Sequence, residues 1–147
     1  MNQNTVTLRG FATVSFYADD IEEAARWYAE LTGVEPYYRF PHPPQQAAYI
    51  EFRLGDHEDE LGLIDRRYAP RVPQQHPGGA VVFWHVDDLE GTLQRLLDHG
   101  ATLHDPLTKR ESGFNTASVV DPFGNVLGVM YNPHYVELMA KIKESAR

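Results

Sequence analysis

The chain has 147 residues, 42% hydrophobic and 12% aromatic, enough for one domain with its own core or two very small ones folded together. A net charge of −8 argues against nucleic acid and anionic membrane as partners, since both need clustered Lys and Arg. With no cysteine, a disulfide framework, a thiol nucleophile and a thiolate metal site are all excluded. The opening "MNQNTVTLRG" carries no basic-then-apolar leader, and no run of about 18 apolar residues is present to span a bilayer, so the expected location is the cytoplasm.

In chain order, residues 11–34 ("FATVSFYADDIEEAARWYAELTGV") read as an apolar strand, an Asp-Asp pair and a helix. Asp20 can cap that helix, with Glu23 three residues on as in a capping box, and Gly33 stands just past its end. Ile21, Ala24, Ala25, Tyr28 and Leu31 fall on one face. The runs "AAYIEFRL" and "LGLID" then read as strands, joined by a charged hairpin tip within "GDHEDELG" (55–62). That tip lacks the spacing of a calcium loop. "YAPRVPQQHPGG" (68–79) is rich in Pro, Gly and Gln and reads as a linker.

The pattern then returns. "GAVVFWHVDDLEGTLQRLLDHGAT" (79–102) repeats the strand, the Asp-Asp pair, the helix and the closing glycine, with Asp88 lying 68 residues after Asp20 (88 − 20 = 68). Leu89, Leu93, Leu96 and Leu97 form its stripe and Gly100 stops it. "TASVVD" and "VLGVMY" supply later strands, linked by the turn "DPFGN". An offset near half the chain points to a tandem duplication of strand–helix–strand–strand–strand. Tyr135, Leu138, Met139 and Ile142 are spaced as a last helix, whose basic end (Lys141, Lys143, Arg147) suits the negative helix pole. His134 is expected to help turn the chain into it.

This duplicated βαβββ unit, with its strand–Asp–helix–Gly openings and closing Asp-Pro-x-Gly-Asn turn, resembles the vicinal oxygen chelate superfamily. That group includes glyoxalase I, extradiol dioxygenases, fosfomycin resistance enzymes and bleomycin-resistance-type binding proteins. The resemblance covers roughly residues 8–133. It implies an α+β fold of two tandem βαβββ modules forming curled mixed sheets around a cavity, plus the C-terminal helix. The expected layout is a single such domain over 1–147: module one at about 8–67, linker at about 68–78, module two at about 79–133 and the last helix at about 134–146. The resemblance also implies a homodimer; the apolar last helix could contribute to that interface or simply cover a sheet edge.

In metal-dependent members of that superfamily, ligands come from the first and last strands of each module. The matching positions here hold Thr13 and Val81, seven residues before Asp20 and Asp88, with Gly62 and Gly128 on the late strands. Only Thr13 has a side-chain atom that could ligate, whereas a divalent metal takes three or four His or carboxylate ligands. The expectation is therefore no metal and no cofactor.

Strand alternation from those positions names the side chains sharing their face. From Thr13 come Ser15 and Tyr17, from Val81 come Phe83 and His85, and from Gly128 come Val126 and Met130. On "AAYIEFRL", Ala48, Ile50 and Phe52 make the apolar face, leaving Tyr49, Glu51 and Arg53 toward the cavity. The expected ligand-binding set is Thr13, Ser15, Tyr17, Tyr49, Glu51, Arg53, Phe83, His85, Phe114 and Met130. Aromatic walls with sparse polar groups are how small-molecule sites are built. His85, Tyr17 and Glu51 are the candidate catalytic groups.

Plainer readings stand beside these. His85 could face solvent at a strand end, and Glu51 with Arg53 could form a surface ion pair. Asp19, Asp20, Asp87 and Asp88 read as helix caps. His42, His57 and His76 sit in Pro- or acid-rich loops. "TKRESGFN" (108–115) reads as a loop whose Lys109, Arg110 and Phe114 could gate the cavity.

Three functions follow. One is a metal-free protein that sequesters or carries a small aromatic or amphipathic molecule, as in resistance. Another is a metal-independent lyase, isomerase or cyclase using His85, Tyr17 or Glu51. The third is a glyoxalase or dioxygenase, whose metal ligands are missing here.

Overall fold

A computed structural model describes residues 5, 9, 11–68 and 80–146. The chain divides into two compact units, Met1–Ala69 and Pro70–Arg147. Each builds one four-stranded mixed sheet with a helix on one face.

In the first unit the order is β1 (Thr13–Ala18), α1 (Ile21–Thr32), β2 (Tyr38–Phe40), β3 (Tyr49–Leu54) and β4 (Asp59–Asp65). Across the sheet the strands run β1-β4-β3-β2. β1 and β4 are parallel and the other pairs antiparallel. α1 starts where Asp20 accepts a hydrogen bond from the Glu23 amide at 3.1 Å, and stops where Gly33 takes a left-handed φ of 73°. Its buried residues Ile21, Ala24, Ala25, Trp27 and Tyr28 meet Phe16 and Ala18 of β1, Ile50, Phe52 and Leu54 of β3, and Leu61 and Leu63 of β4. This is the unit's core. Tyr28 sits edge-on to Trp27 at 4.8 Å and tilted to Phe16 at 6.1 Å. Arg39 of β2 reaches under the sheet to Glu22 of α1 at 2.7 Å.

The second unit repeats the plan: β5 (Val82–His85), α2 (Leu89–Asp98), β6 (Thr102–Lys109), β7 (Asn115–Val120) and β8 (Val126–Tyr131), with strands ordered β5-β8-β7-β6. Asp88 caps α2 through the Gly91 amide at 3.0 Å. A third helix, α3 (Pro133–Ser145), follows. Asn132 caps it through the Tyr135 amide at 3.1 Å, with Pro133 in its first turn. The turn into α3 is thus the work of Asn132 and Pro133, and His134, expected to share it, already lies inside the helix. No α3 residue is buried.

The α+β architecture of two tandem βαβββ modules with a C-terminal helix is the one expected. Two strands had no segment assigned. β2 lies in "YRF" after Pro36, and β6 carries Pro106 and irregular register between Leu103 and Thr108. The segment 108–115, read as one loop, is shorter: Thr108 and Lys109 end β6 and Asn115 opens β7, leaving Arg110–Phe114 with a 3-10 turn at Glu111–Gly113. The linker expected at 68–78 lies outside the described residues from 69 onward, as does His76.

In the "DPFGN" turn, buried Asp121 accepts hydrogen bonds from the amides of Phe123 (2.9 Å) and Asn125 (2.8 Å), and Gly124 takes a φ of 93°. Two strand glycines matter more. A Cβ on Gly62 would lie 2.7 Å from the Tyr49 ring and hydroxyl. One on Gly128 would lie 2.7 Å from the Phe83 ring and 2.9 Å from the Val82 carbonyl oxygen. In each unit an aromatic side chain covers the glycine, which must therefore lack a side chain.

Two stability predictions follow. Asp121→Ala leaves two amides without their acceptor and lowers stability by about 1–3 kcal/mol in urea denaturation, while Asp121→Asn recovers part. Gly128→Ala costs more than Gly62→Ala, because at 128 the backbone itself obstructs, whereas at 62 the obstacle is a tyrosine ring whose displacement gives up one hydrogen bond to Glu51. Equal costs would contradict that packing.

Candidate functional site

On the face of the first sheet away from α1, register aligns side chains in three rows. Thr13, Glu60 and Arg53 form one; Ser15, Gly62, Glu51 and Tyr38 the next; Tyr17, Ile64, Tyr49 and Phe40 the third. Six residues expected at the site, Thr13, Ser15, Tyr17, Tyr49, Glu51 and Arg53, therefore share this face.

Glu51 is its centre. Only 7% exposed, its carboxylate accepts hydrogen bonds from the hydroxyls of Tyr37 and Tyr49, one on each oxygen. The Tyr37 amide also donates to the Glu51 carbonyl at 3.1 Å, so Tyr37 is tied to Glu51 through backbone and side chain. The Tyr37 hydroxyl lies 3.0 Å from Glu60 Oε2 as well. Arg53 places its guanidinium 4.0 Å over the Tyr37 ring. No ion pair joins Glu51 and Arg53 among the described residues: the surface pair suggested by their spacing is replaced by a carboxylate held by phenols and a cation stacked on one of them.

The electrostatics follow from these contacts. Burial alone would raise the Glu51 carboxyl, but the Tyr37 and Tyr49 hydroxyls, with Arg53 nearby, hold it below the usual range. Tyr37, facing that carboxylate, is pushed up to about 12. Tyr49 is raised further, first by its burial and then by Glu51. The cluster is thus an ionised carboxylate between two neutral phenols.

Around it lies an aromatic fence. Tyr38 stands 6.3 Å from both Tyr37 and Tyr49 and 6.0 Å from the exposed His42, and Phe40 lies 6.5 Å from His42. Tyr37, Tyr38 and Phe40 are exposed. Sequence reasoning missed Tyr37, Tyr38, Phe40 and Glu60. The run "PYYRF" (36–40) was the available signal, since its alternating aromatics flank one inward arginine.

In the second unit, Phe83 lies over Gly128, and Met130 pairs opposite His85. His85 is enclosed, its Nδ1 accepting from the Asn132 amide at 3.1 Å and its Nε2 3.1 Å from Asp87 Oδ1. Its ring stacks on Tyr135 of α3 at 4.7 Å, with an interplanar angle of 17°. Both nitrogens are engaged, so this is a solvent-facing histidine in neither position nor bonding. Arg110 donates to Thr116 at 3.1 Å and lies 3.6 Å from Asp105; the Phe114 carbonyl accepts from the Arg110 amide at 2.7 Å.

The residues do not fit the superfamily's metal. Thr13, Gly62, Val81 and Gly128 stand at the expected ligand positions, and aromatic rings cover both glycines. Among the described residues no group of three or more His, Asp or Glu side chains could hold an ion. A separate cleft of about 410 Å³, lined by Asp19, Gln46, Asp65, Arg66 and Arg67, is internally neutralised by the Asp19–Arg66 (2.8 Å) and Asp65–Arg67 (2.9 Å) pairs.

The fold recurs in solved structures. A member of the glyoxalase/bleomycin resistance protein/dioxygenase superfamily from Sphaerobacter thermophilus is 15% identical, with a TM-score of 0.66 over 85% of this chain and 98% of its own. A glyoxalase-related enzyme from Fulvimarina pelagi is 20% identical, with a TM-score of 0.64 over 86% and 90%. A lactoylglutathione lyase from Agrobacterium tumefaciens is 19% identical, with a TM-score of 0.63 over 85% and 95%. At these identities the likeness concerns the fold alone. No curated protein matches the chain in sequence. The family described as Glyoxalase/Bleomycin resistance protein/Dioxygenase superfamily does match it, over residues 10–129, and the chain belongs to that superfamily.

Proposed function

We propose that this protein binds a small aromatic or amphipathic molecule without a metal, holding or carrying it rather than converting it. The observation that carries this reading is the Tyr37–Glu51–Tyr49 cluster. Acid–base catalysis at neutral pH needs a group whose pKa lies near neutrality. Here the carboxyl is displaced downward and both phenols upward, away from that range. His85, the other candidate base, has both nitrogens committed. What the face offers a ligand is ring surface, with Tyr37, Tyr38 and Phe40 exposed around fixed polar groups. The donor set at the superfamily's ligand positions gives no support to a metal-dependent glyoxalase or dioxygenase. Sequestration of a toxic compound in the cytoplasm is the role this reading favours. A homodimer is part of the same proposal, supported by the exposed Val136, Leu138 and Ile142 of α3.

Elemental analysis of purified protein is expected to find no stoichiometric divalent ion; one equivalent would overturn the metal-free reading. In a thermal-shift screen of aromatic compounds, a true ligand at 100 times its dissociation constant stabilises the fold by about 2.7 kcal/mol. Mass spectrometry should then recover that ligand unchanged. Turnover abolished by Glu51→Gln or Tyr17→Phe would instead establish a metal-independent enzyme.

The cluster itself is testable by titration. Because the folded carboxyl lies below its unfolded value, its contribution to stability is present above the unfolded carboxylate pKa and is lost as pH falls through the folded one. The Tyr37 phenol is raised from 10.0 to about 12, so its contribution is full below pH 10 and is lost as pH rises through about 12. Absorbance at about 295 nm should show tyrosines ionising late in the wild type, and Glu51→Gln should bring Tyr37 back toward an ordinary phenol.

A further inference from the structure

We infer that the ligand of the first unit's aromatic face is a flat cation, an aromatic ring system carrying a permanent or protonated nitrogen charge. The inference rests on the binding reading above and narrows it to a chemical class.

Two carboxylates, Glu51 and Glu60, meet at the Tyr37 hydroxyl, and among the described contacts one guanidinium, that of Arg53, lies over the Tyr37 ring. Glu58 adds its negative field at Arg53. The charge on this patch is therefore negative in excess. Negative charge at the edge of exposed tyrosine rings favours cations, because the ring face is itself electron-rich. Arg53 already demonstrates the geometry: a planar, delocalised cation lies 4.0 Å over the Tyr37 ring. The neighbouring rings, Tyr38 and Phe40, are exposed and offer the same kind of surface without a stacked cation among the described contacts.

The polar groups reinforce this choice. The Tyr37 and Tyr49 hydroxyls at the centre of the face are spent on Glu51, so a carboxylate or phosphate arriving beside them would find committed donors and repelling charge. A neutral ring would gain the stacking but nothing from Glu60, which is only half-buried. A cationic ring gains both. A protonated or quaternary nitrogen also loses less than a doubly charged ion would on leaving water, which suits a face that is partly apolar.

The test uses three flat probes of similar shape and different charge: N-methylacridinium, N-methylacridone and acridine-9-carboxylate. Each is titrated into the full-length protein by fluorescence at low and moderate salt. The expected order is cation first, tighter than the neutral probe by about tenfold, with the anion weakest and the cation's advantage shrinking as salt rises. Glu60→Gln should remove most of that advantage while leaving N-methylacridone binding unchanged. Glu51→Gln should do the same, and circular dichroism checks that it remains folded; Glu60→Gln decides the matter if it does not. Glu144→Gln, on exposed α3, controls for bulk negative charge and should change nothing. Neutral or anionic probes binding as tightly as the cation would overturn the charge assignment and leave the binding reading standing. Loss of the cation's advantage equally in Glu144→Gln would also overturn it, reducing the effect to net charge. Failure of all three probes to bind would overturn both together.

Discussion

A carboxylate that is 7% exposed must be met by donors, and the arrangement of the first unit follows from how Glu51 is met. Its own sheet supplies Tyr49, two residues away on β3. The second donor, Tyr37, comes from the segment leading into β2, and its amide is fixed to the same residue's carbonyl. Glu51 thereby holds the edge strand's entry in place and lines up Tyr37, Tyr38 and Tyr49 as neighbours. The aromatic surface is a by-product of satisfying one buried charge.

Tyr49, paired with Ile64, can lean diagonally across β4 only because the residue two places away there is Gly62. Any side chain at 62 would occupy the space the tyrosine ring fills. The superfamily resemblance places a metal ligand near this point, so the absent ligand and the tyrosine–carboxylate cluster are two aspects of one packing solution. The second unit shows the alternative filling. There Gly128 lies under Phe83, and its antiparallel partner is Ser118, where the first unit has Glu51 opposite Gly62. Ser118 meets His104 at 3.0 Å, a hydroxyl where the first unit has a carboxylate. The backbone plan was duplicated, while the chemistry on its faces was not.

The repeat, the helix caps and the side chains on each face of β1 and β3 were legible from the sequence, because each rests on local periodicity or on one capping residue. Asp20 and Asp88 cap as their positions imply, and Ile50 and Phe52 point to the core while Tyr49 and Glu51 point away. What was not legible depended on contacts distant in sequence. Glu51 and Arg53 look like an ion pair when only their spacing is known; Tyr37, 14 residues away, intervenes between them. His85 looks exposed at a strand end until Asn132, 47 residues on, closes over it. β2 is only three residues long, and β6 contains a proline and broken register, so neither carries a clean alternation. The metal-ligand positions were readable only through the superfamily resemblance, not from the residues themselves.

The glycine at 62 also constrains what this protein can become. A carboxylate placed there by a single substitution would collide with Tyr49, and moving Tyr49 would strip a donor from the buried Glu51. Removing Tyr49 first leaves the same charge half-satisfied. Each step alone is penalised by the other residue, so the two positions are epistatic. Placing a carboxylate at 62 would have to pass through a less stable intermediate or change several residues together. The aromatic cluster therefore acts as a ratchet that holds the glycine at 62 in place.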